Sequence, residues 1–241
     1  MGGRVVAMIP ARAGSKGLPG KNVKELCGRP LLDYSIRPAL ECPLVSNVYV
    51  NSEDDGYLSL AERLGARRYR RSGELATDTA AMGPVVQSFY RELLDAGHQY
   101  DAILVMYPVY PLRTAGEIGR FITAFFEAGG DRPMIGLKPA KTHPFLSYTQ
   151  DSDGGIHQVV DFDIDVYYRR QTYPECFEIT YYVCIVPTAG METLNSQLQD
   201  SRTIGYRVDP ERAIDIDGPD DFRAAERSLN NAARSELSIK H

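Results

Sequence analysis

The chain has 241 residues and a formal net charge of −5, and 43% of its residues are hydrophobic and 24% charged. This composition is typical of a folded globular protein and excludes intrinsic disorder and collagen-like repeats. No apolar run reaches the roughly 18 residues of a membrane-spanning helix, so we expect no membrane partner. The acidic balance disfavours nucleic acid as a partner, and any nucleotide site must therefore be a local basic pocket.

The cysteines and histidines are dispersed and lack the spacing of metal-binding or redox motifs. We interpret the cysteines as free thiols of a reducing compartment and expect a cytoplasmic protein. The short apolar run near the start favours a buried strand over the core of a secretory signal peptide. The cysteines are Cys27, Cys42, Cys176 and Cys184.

Apolar strands alternate with amphipathic helices along the chain. Residues 5–9 predict the first strand, and Pro30 predicts the start of the first helix because proline suits the first helical position. The T-x-x-E spacing of Thr114 and Glu117 predicts a capping box at the start of a later helix. The other elements predicted in this half are a strand at 45–50, a helix at 58–64 closed by Gly65, a helix from Gly83 and a strand at 102–106.

This alternation indicates an α/β fold with a mostly parallel sheet, whose ligand site lies beyond the carboxyl ends of the strands. The pattern breaks at 138–174, where Asp153-Gly154-Gly155 predicts a hairpin turn. We interpret this stretch as a β-rich arm inserted into a single domain of residues 1–230. Further predicted elements are strands at 181–186, 203–208 and 213–216, a helix from Pro219 and a frayed tail at 231–241.

A glycine-rich loop at residues 9–22 follows the first strand. Its glycines permit tight turns that point backbone N–H groups inward, and its cations suit phosphate. We interpret the loop as a grip for a triphosphate; the alternative is a solvated basic turn. It is not a Walker A loop, because Lys21 precedes Asn22 rather than Ser or Thr. The glycines are Gly14, Gly17 and Gly20, and the cations are Arg12, Lys16 and Lys21.

A pair of carboxylates stands near the end of the chain. In a strand, Asp215 and Asp217 point to one face and can converge on one hard cation such as Mg²⁺, while Ile216 packs behind them. Nucleotide chemistry needs such a cation to neutralise phosphate charge. The alternative is a pair of surface carboxylates ahead of the last helix.

The glycine-rich loop and several later segments together resemble the cytidylyltransferases that activate sialic acid and related nonulosonic acids as CMP-sugars. The resemblance covers about residues 4–229. It implies a three-layer, Rossmann-like nucleotidyltransferase fold, a homodimer held by the inserted arm, and Mg²⁺-dependent transfer of CMP from CTP to an acidic sugar with release of pyrophosphate. The later matching segments are 51–54, 74–80, 111–114, 169–171 and 215–217.

On this interpretation Arg12 and Lys21 stabilise the charge on the α-phosphate, while Lys16 and the loop amides hold the other phosphates. Asp215 and Asp217 hold Mg²⁺. By resemblance, Arg71 and the segment 76–79 line the cytidine pocket, although the threonines could equally satisfy turns. The predicted nucleotide-binding residues are Ala11, Arg12, Gly14, Ser15, Lys16, Gly17, Lys21, Asn22, Arg71, Ala76, Thr77 and Thr79.

The acceptor side departs from the family pattern. The family usually has Gln where this chain has Tyr107, and an expected Asn-Gly pair is replaced by Thr180-Tyr181. Because a lost buried polar contact costs roughly 1–3 kcal/mol, we predict a different, smaller or less polar acceptor acid. The alternative is a repacked pocket for the same substrate. The predicted acceptor-binding residues are Tyr107, Tyr110, Arg170, Gln171 and Tyr181, with Lys141 and His143 as further candidates.

Other interpretations remain open at this stage. The same fold could act on a sugar phosphate or a phosphonate, or could use a different nucleoside triphosphate. A third reading is a nucleotide-binding protein without catalysis. The many tyrosines between 167 and 182 could line a dimer interface instead of the acceptor pocket. The sequence identifies no general base.

Overall fold

The computed structural model describes residues 3–14 and 17–239, with side chains up to Asn231. A seven-stranded sheet forms its centre. The strands of this sheet are β1 (Val5–Pro10), β4 (Val45–Ser52), β5 (Arg67–Arg70), β6 (Ala102–Val105), β7 (Met134–Pro139), β10 (Phe177–Pro187) and β11 (Ile204–Arg207). Their order is β11-β7-β10-β6-β1-β4-β5. Only β10 runs antiparallel to its neighbours among these described strands, so the sheet is mostly parallel as predicted.

Helices cover both faces of the sheet. The helices are α1 (Asp33–Glu41), α2 (Asp55–Arg63), α3 (Met82–Asp95), α4 (Ala115–Glu127) and α5 (Pro219–Ile239). The alternation of β1 assigns the faces: Val5 and Ile9 pack into the core with α1, α2 and α4, whereas Val6 and Met8 pack into the core with α3. Every residue of β1 is buried, because both of its faces are covered. The result is a three-layer α/β fold, as the sequence predicts.

Local signals place several boundaries correctly. Thr114 and Glu117 form the predicted reciprocal capping box at the start of α4, with Thr114 Oγ1 accepting from the Glu117 amide at 3.3 Å and Glu117 Oε2 accepting from the Thr114 amide at 2.9 Å. Helix α3 begins at Met82, next to the predicted Gly83. Gly65 follows the end of α2 with a φ of +92°.

The predicted start of the first helix is wrong. Pro30 lies in a two-residue strand, β3 (Arg29–Pro30), which pairs with β2 (Glu25–Leu26), and α1 begins only at Asp33. Cys27 and Gly28 both have positive φ, 48° and 76°, and close the connection as a two-residue hairpin. The turn therefore determines the local structure at Pro30 rather than the helical preference of proline.

The predicted strand at 213–216 is also wrong. These residues have no regular secondary structure and pair with no described strand, and the Ile216 amide donates instead to the Val109 carbonyl at 3.0 Å. The segment crosses the loop that follows β6, so its backbone is satisfied by a loop and not by a sheet. Ile216 is buried against Leu26 and Leu31, behind the two aspartates, as expected.

The segment 138–174 contains the predicted hairpin. Strands β8 (Tyr148–Gln150) and β9 (Ile156–Gln158) are antiparallel, and Asp153 Oδ1 accepts from the Gly155 amide at 3.2 Å within the turn. A small aromatic cluster holds the base of this segment, where Phe145 stacks on Phe162 with centroids 4.0 Å apart.

The last helix continues further than the sequence predicts. Helix α5 runs to Ile239, through most of the segment expected to fray. None of the described helices is long and apolar enough to cross a membrane.

Candidate active site

The candidate site lies where the parallel strands β1, β4, β5 and β6 end. The loops that follow these strands carry the glycine-rich segment, Glu53, Arg71 and Tyr107. Ala11 lies at the start of the first loop and donates its amide to the Asn51 carbonyl at 2.9 Å, which joins the ends of β1 and β4. Carboxyl ends of parallel strands are the usual ligand-binding edge of such sheets.

The glycine-rich loop contacts the C-terminal acidic segment. A Cβ built on Gly17 would lie 2.6 Å from the Asp217 carbonyl oxygen, so only glycine allows this approach. Lys21 is 8% exposed, and its Nζ donates to the Ile216 carbonyl at 2.5 Å and lies 3.7 Å from Asp217 Oδ1. The structure therefore brings the predicted phosphate loop and the predicted metal ligands together. Ser15 and Lys16 lie outside the described residues.

Two other predicted residues of the loop have defined partners. Arg12 pairs with Asp78, which belongs to the predicted nucleoside segment. Asn22 is buried and donates its side-chain amide to the Arg12 carbonyl at 3.1 Å, so it fixes the backbone of the loop. Gly14 has open space around its Cα and supplies no close approach. A phosphate that binds Arg12 must compete with the carboxylate of Asp78 for the guanidinium.

Asp215 carries the feature that best fits a cation. Its Oδ2 accepts from the Tyr110 hydroxyl at 3.0 Å, whereas its Oδ1 is buried and has no partner among the described residues. Burial, and secondarily the charge of Asp217, raise the pKa of Asp215 above its usual value. A buried carboxylate oxygen without a donor is costly unless a cation or proton satisfies it.

The residues present fit Mg²⁺. Asp217 is largely exposed, and its charge raises the pKa of Asp215, so the two carboxylates are near enough to interact. The described residues contain no group of three or more His, Cys, Asp or Glu side chains that could form a closed metal site. Two protein ligands suit Mg²⁺, because this ion usually keeps water or phosphate oxygens as its remaining ligands.

Arg71 is the buried cation of the predicted nucleoside pocket. It is 5% exposed, and its Nε and Nη2 donate to Asn51, to Oδ1 at 2.5 Å and to the carbonyl at 3.0 Å. Burial lowers the pKa of Arg71, and the nearby charge of Glu53 opposes this effect. The guanidinium is thus held in one orientation by β4.

The rest of the nucleoside segment is more exposed. Ala76 ends a short 3₁₀ helix, Gly73–Ala76, and Thr77 and Thr79 lie 3.5 Å apart through their Oγ1 atoms. The contacts of these threonines are consistent with a turn as much as with a ligand. Asp78 connects this segment to Arg12 and therefore places it beside the phosphate loop.

Two tyrosine pairs line the predicted acceptor side. Tyr107 packs against Tyr181 with ring centroids 5.1 Å apart, and Tyr110 packs against Tyr182 at 5.9 Å. The pairing of β10 with β7 shifts between Thr180 and Cys184, and this irregularity turns the two tyrosines of β10 toward the loop after β6. Burial raises the pKa of Tyr107, so its hydroxyl stays protonated. The Tyr110 hydroxyl donates its hydrogen bond to Asp215 and not to the acceptor.

The structure separates the other predicted acceptor residues from these tyrosines. Arg170 and Gln171 lie in a short 3₁₀ helix of the arm, Arg170–Thr172. Arg170 lines a cavity of about 520 Å³ together with Lys141 and His143. No contact in the described part of the chain joins Arg170 or Gln171 to the tyrosine pairs. His143 Nε2 lies 3.0 Å from the Pro174 carbonyl, and Nδ1 accepts from the Phe145 amide, which indicates a structural role.

Three residues of this region were missed by sequence reasoning. Arg113 is fully buried and donates to the carbonyls of Tyr107 and Tyr182, and burial lowers its pKa to about 10. Lys138 pairs with Glu178 at 3.2 Å and lowers the pKa of Asp215. Glu53 Oε1 accepts from the Ala13 amide at 2.8 Å, while its Oε2 is buried and unpartnered in the described structure. Glu53 and Arg113 lie within the segments 51–54 and 111–114 that resemble the family, but no role was assigned to them, and no predicted element gave a signal for Lys138.

Comparisons with known proteins agree with this geometry. A family described as Cytidylyltransferase matches residues 6–97. The chain is 27% identical over 229 residues to CMP-N,N'-diacetyllegionaminic acid synthase of Legionella pneumophila, covering 94% of this chain and 96% of that protein. It is 36% identical over 253 residues to N-acylneuraminate cytidylyltransferase of Escherichia coli, covering 98% of this chain and 54% of that protein, so it spans about half the length of this relative.

The fold is shared with a solved cytidylyltransferase. The structure of CMP:2-keto-3-deoxy-manno-octonic acid synthetase complexed with CTP aligns with a TM-score of 0.69 at 13% sequence identity, over 95% of this chain and 99% of that one. The paired loops at the strand ends, the buried Lys21 and the two C-terminal aspartates occupy the ligand-binding edge of this fold. The chain is similar to a cytidylyltransferase family over residues 6–97 and to CMP-sugar synthetases over nearly its whole length, and these similarities indicate a CTP-dependent nucleotidyltransferase of the CMP-sugar synthetase type.

Proposed function

We propose that the protein transfers CMP from CTP to a hydroxyl group of an acidic sugar of the nonulosonic acid type and releases pyrophosphate. The observation that carries this proposal is the contact of Lys21 with residues 216 and 217, which joins a cation for phosphate to two carboxylates for a metal ion. The relatives named for CMP-legionaminic and N-acylneuraminic acid synthesis support the acceptor class.

The chain's own residues position the triphosphate. Arg12 and Lys21 offer their charges to the α-phosphate, and the backbone amides of the glycine-rich loop face the outer phosphates. The acceptor oxygen forms a bond to the α-phosphorus as the bond to the bridging oxygen breaks, and pyrophosphate leaves with that oxygen. Preorganised cations of this kind stabilise charge that develops during transfer.

Asp215 and Asp217 would hold Mg²⁺. The unpartnered Oδ1 of Asp215 and the exposed carboxylate of Asp217 supply the two oxygen ligands. When bound there, the ion neutralises phosphate charge and orients pyrophosphate. Tyr110 keeps Asp215 in the required orientation through its 3.0 Å hydrogen bond.

The acceptor pocket supports a less polar acid than N-acetylneuraminate. Tyr107 and Tyr181 form an aromatic wall where the family pattern has amide groups. Lys138 is a further cation near Asp215, since its charge lowers the pKa of that residue. We place the carboxylate of the acceptor near Lys138, or near Arg170 of a partner's arm when the chain dimerises.

A homodimer is part of the proposal. Many of the large hydrophobic side chains that the described structure exposes lie in or beside the arm. An exposed set of this kind marks an interaction surface. Sedimentation velocity tests it: Ile164→Asp should give monomers, whereas Leu94→Asp, on α3, should leave a dimer. The strongly exposed members of the set are Ile156, Val159, Ile164, Val166 and Tyr168.

Pyrophosphate release tests the proposed reaction. The protein is given CTP and Mg²⁺ with sialic, legionaminic, pseudaminic or 2-keto-3-deoxy acids, or with phosphonates, and Asp217→Ala serves as the inactive control. Turnover with one nonulosonic acid, lost in the variant, is the expected result. Turnover only with a phosphonate, or only with GTP or UTP, would overturn the acceptor or the nucleotide assignment respectively.

A further inference from the structure

Glu53 combines features that the phosphate chemistry does not use. It follows β4 at the carboxyl edge of the sheet, and one of its oxygens, Oε1, accepts from the Ala13 amide of the glycine-rich loop at 2.8 Å. The other oxygen, Oε2, is buried and has no hydrogen-bond partner in the part of the chain that the structure describes. A carboxylate oxygen in that situation requires a donor that the described residues do not supply.

The nearby Arg71 indicates which kind of ligand could donate a hydrogen bond to Glu53. The charge of Glu53 acts directly on Arg71, whose Nε and Nη2 are occupied by Asn51. No described residue accepts a hydrogen bond from Nη1 of Arg71. The two side chains form no ion pair with each other, so one donor group and one acceptor atom remain available in the same region, at the edge of the loop proposed to bind the nucleotide.

This arrangement is complementary to one face of cytosine. Its Watson–Crick edge carries acceptors at O2 and N3 and a donor at the exocyclic 4-amino group, and acidic side chains accept hydrogen bonds from that amine. Uracil presents an oxygen at the same position, which would face Glu53 Oε2 without a proton between them. A carboxylate beside an arginine therefore discriminates between the two pyrimidines, because it attracts the 4-amino group of cytosine and repels the oxygen of uracil.

We propose that Glu53 Oε2 accepts a hydrogen bond from the 4-amino group of the bound base, beside Arg71, and that Glu53 thereby selects CTP over UTP. This inference rests on the proposed function, because it assumes that the site holds a nucleoside triphosphate. It assigns a specificity role to a residue that also fixes the loop through Ala13.

Glu53→Gln tests the inference directly. The glutamine oxygen still accepts from the Ala13 amide, but its NH₂ group now faces the base and matches the O4 of uracil. Binding of CTP and UTP with Mg²⁺ is measured by titration calorimetry. We expect the preference of the variant for CTP over UTP to fall by about tenfold or more. Glu62→Gln, on α2 and paired with Arg68 at the surface, should keep the wild-type ratio.

A wild-type measurement avoids any folding defect of the variant. The triphosphate of pyrimidin-2-one riboside lacks the 4-amino group, and we expect it to bind about tenfold more weakly than CTP. Equal binding would overturn the inference. So would an unchanged CTP-to-UTP ratio in a Glu53→Gln protein that melts at the wild-type temperature, which would leave Glu53 only its contact with Ala13.

A third ligand, dCTP, distinguishes a contact of Glu53 with the base from a contact with the ribose. If Glu53→Gln alters the ratio of CTP to dCTP but not that of CTP to UTP, the carboxylate contacts a ribose hydroxyl and the inference is wrong. If the wild-type protein shows no preference for CTP at all, the proposed function itself fails. Failure of the inference about Glu53 and failure of the proposed function therefore give different results.

Discussion

The nucleotide half and the acceptor half of the site differ in where their charged groups lie. In the nucleotide half, Lys21 contacts residues 216 and 217 and Arg71 is held by Asn51, all within one chain. In the acceptor half, aromatic rings of the sheet face the pocket while Arg170 lies on the arm. The first half is preorganised by burial, whereas the second half depends on parts that can vary without disturbing the core. A family with this division can change its acceptor and keep its nucleotide.

The largest effect should come from the carboxylate pair. Asp215→Asn removes the charge of the unpartnered oxygen and should lower kcat by about 10³-fold, which is roughly 4 kcal/mol of transition-state stabilisation. Pyrophosphate release at saturating CTP and Mg²⁺ measures it. Asp220→Asn, an exposed aspartate at the start of α5, is the matched control and should stay near wild type. An equal loss of kcat in both variants would contradict the role of Asp215 as a metal ligand.

Arg113→Met should affect stability rather than one half of the site. It leaves the carbonyls of Tyr107 and Tyr182 and the hydroxyl of Ser35 without their buried donor. We expect a loss of about 3 kcal/mol, which lowers Tm by roughly 6 to 12 °C for a chain of this size. Thermal unfolding followed by circular dichroism measures it, with the exposed Arg223→Met as control. A Tm within 2 °C of wild type, on the order of 0.5 kcal/mol, would contradict this role.

Tyr110→Phe connects the two halves through pH. The hydroxyl of Tyr110 lowers the pKa of Asp215, against the larger raising effect of burial. Without it the pKa of Asp215 rises further, and the ionised form that binds a cation is lost at a higher pH as the pH falls. We expect the acidic limb of the kcat profile to move to higher pH, with activity about tenfold lower on that limb. A uniform loss at all pH values would show a purely structural effect.

Tyr107→Gln should have the smallest effect and act only on the acceptor half. It restores the amide of the family pattern and removes one ring of the pair with Tyr181. We expect kcat/KM for N-acetylneuraminate to rise about fivefold while the KM for CTP is unchanged. Steady-state kinetics with each substrate varied in turn measures the effect on N-acetylneuraminate separately from the effect on CTP. A change in the KM for CTP alone would mean that Tyr107 belongs to the nucleotide half.

Sequence reasoning succeeded where one local signal determines one local structure. The buried first strand β1 and the capping box of Thr114 and Glu117 are examples. It also selected the glycine-rich loop and the two aspartates, which the structure brings into contact; their roles in binding phosphate and Mg²⁺ stay predictions. The resemblance to a family added the nucleotide and the fold.

It failed where a distant segment decides the structure. Residues 213–216 look like a strand, but the loop after β6 satisfies their backbone at the Val109 carbonyl. Glu53 and Arg113 are ordinary charged residues in the sequence, and only their burial in the folded chain shows their importance. The lack of contact between Arg170 and the tyrosine pairs in the described structure could not be predicted either, since no sequence pattern states which way an insertion folds.

The bond from Lys21 to the Ile216 carbonyl joins positions 195 residues apart, and Gly17 meets Asp217 over a similar separation. Contacts of such long sequence separation carry a high cost of loop closure and form late. During synthesis the phosphate loop emerges 195 residues before its acidic counterpart. The arrangement proposed to hold a triphosphate is therefore complete only after both segments have left the ribosome.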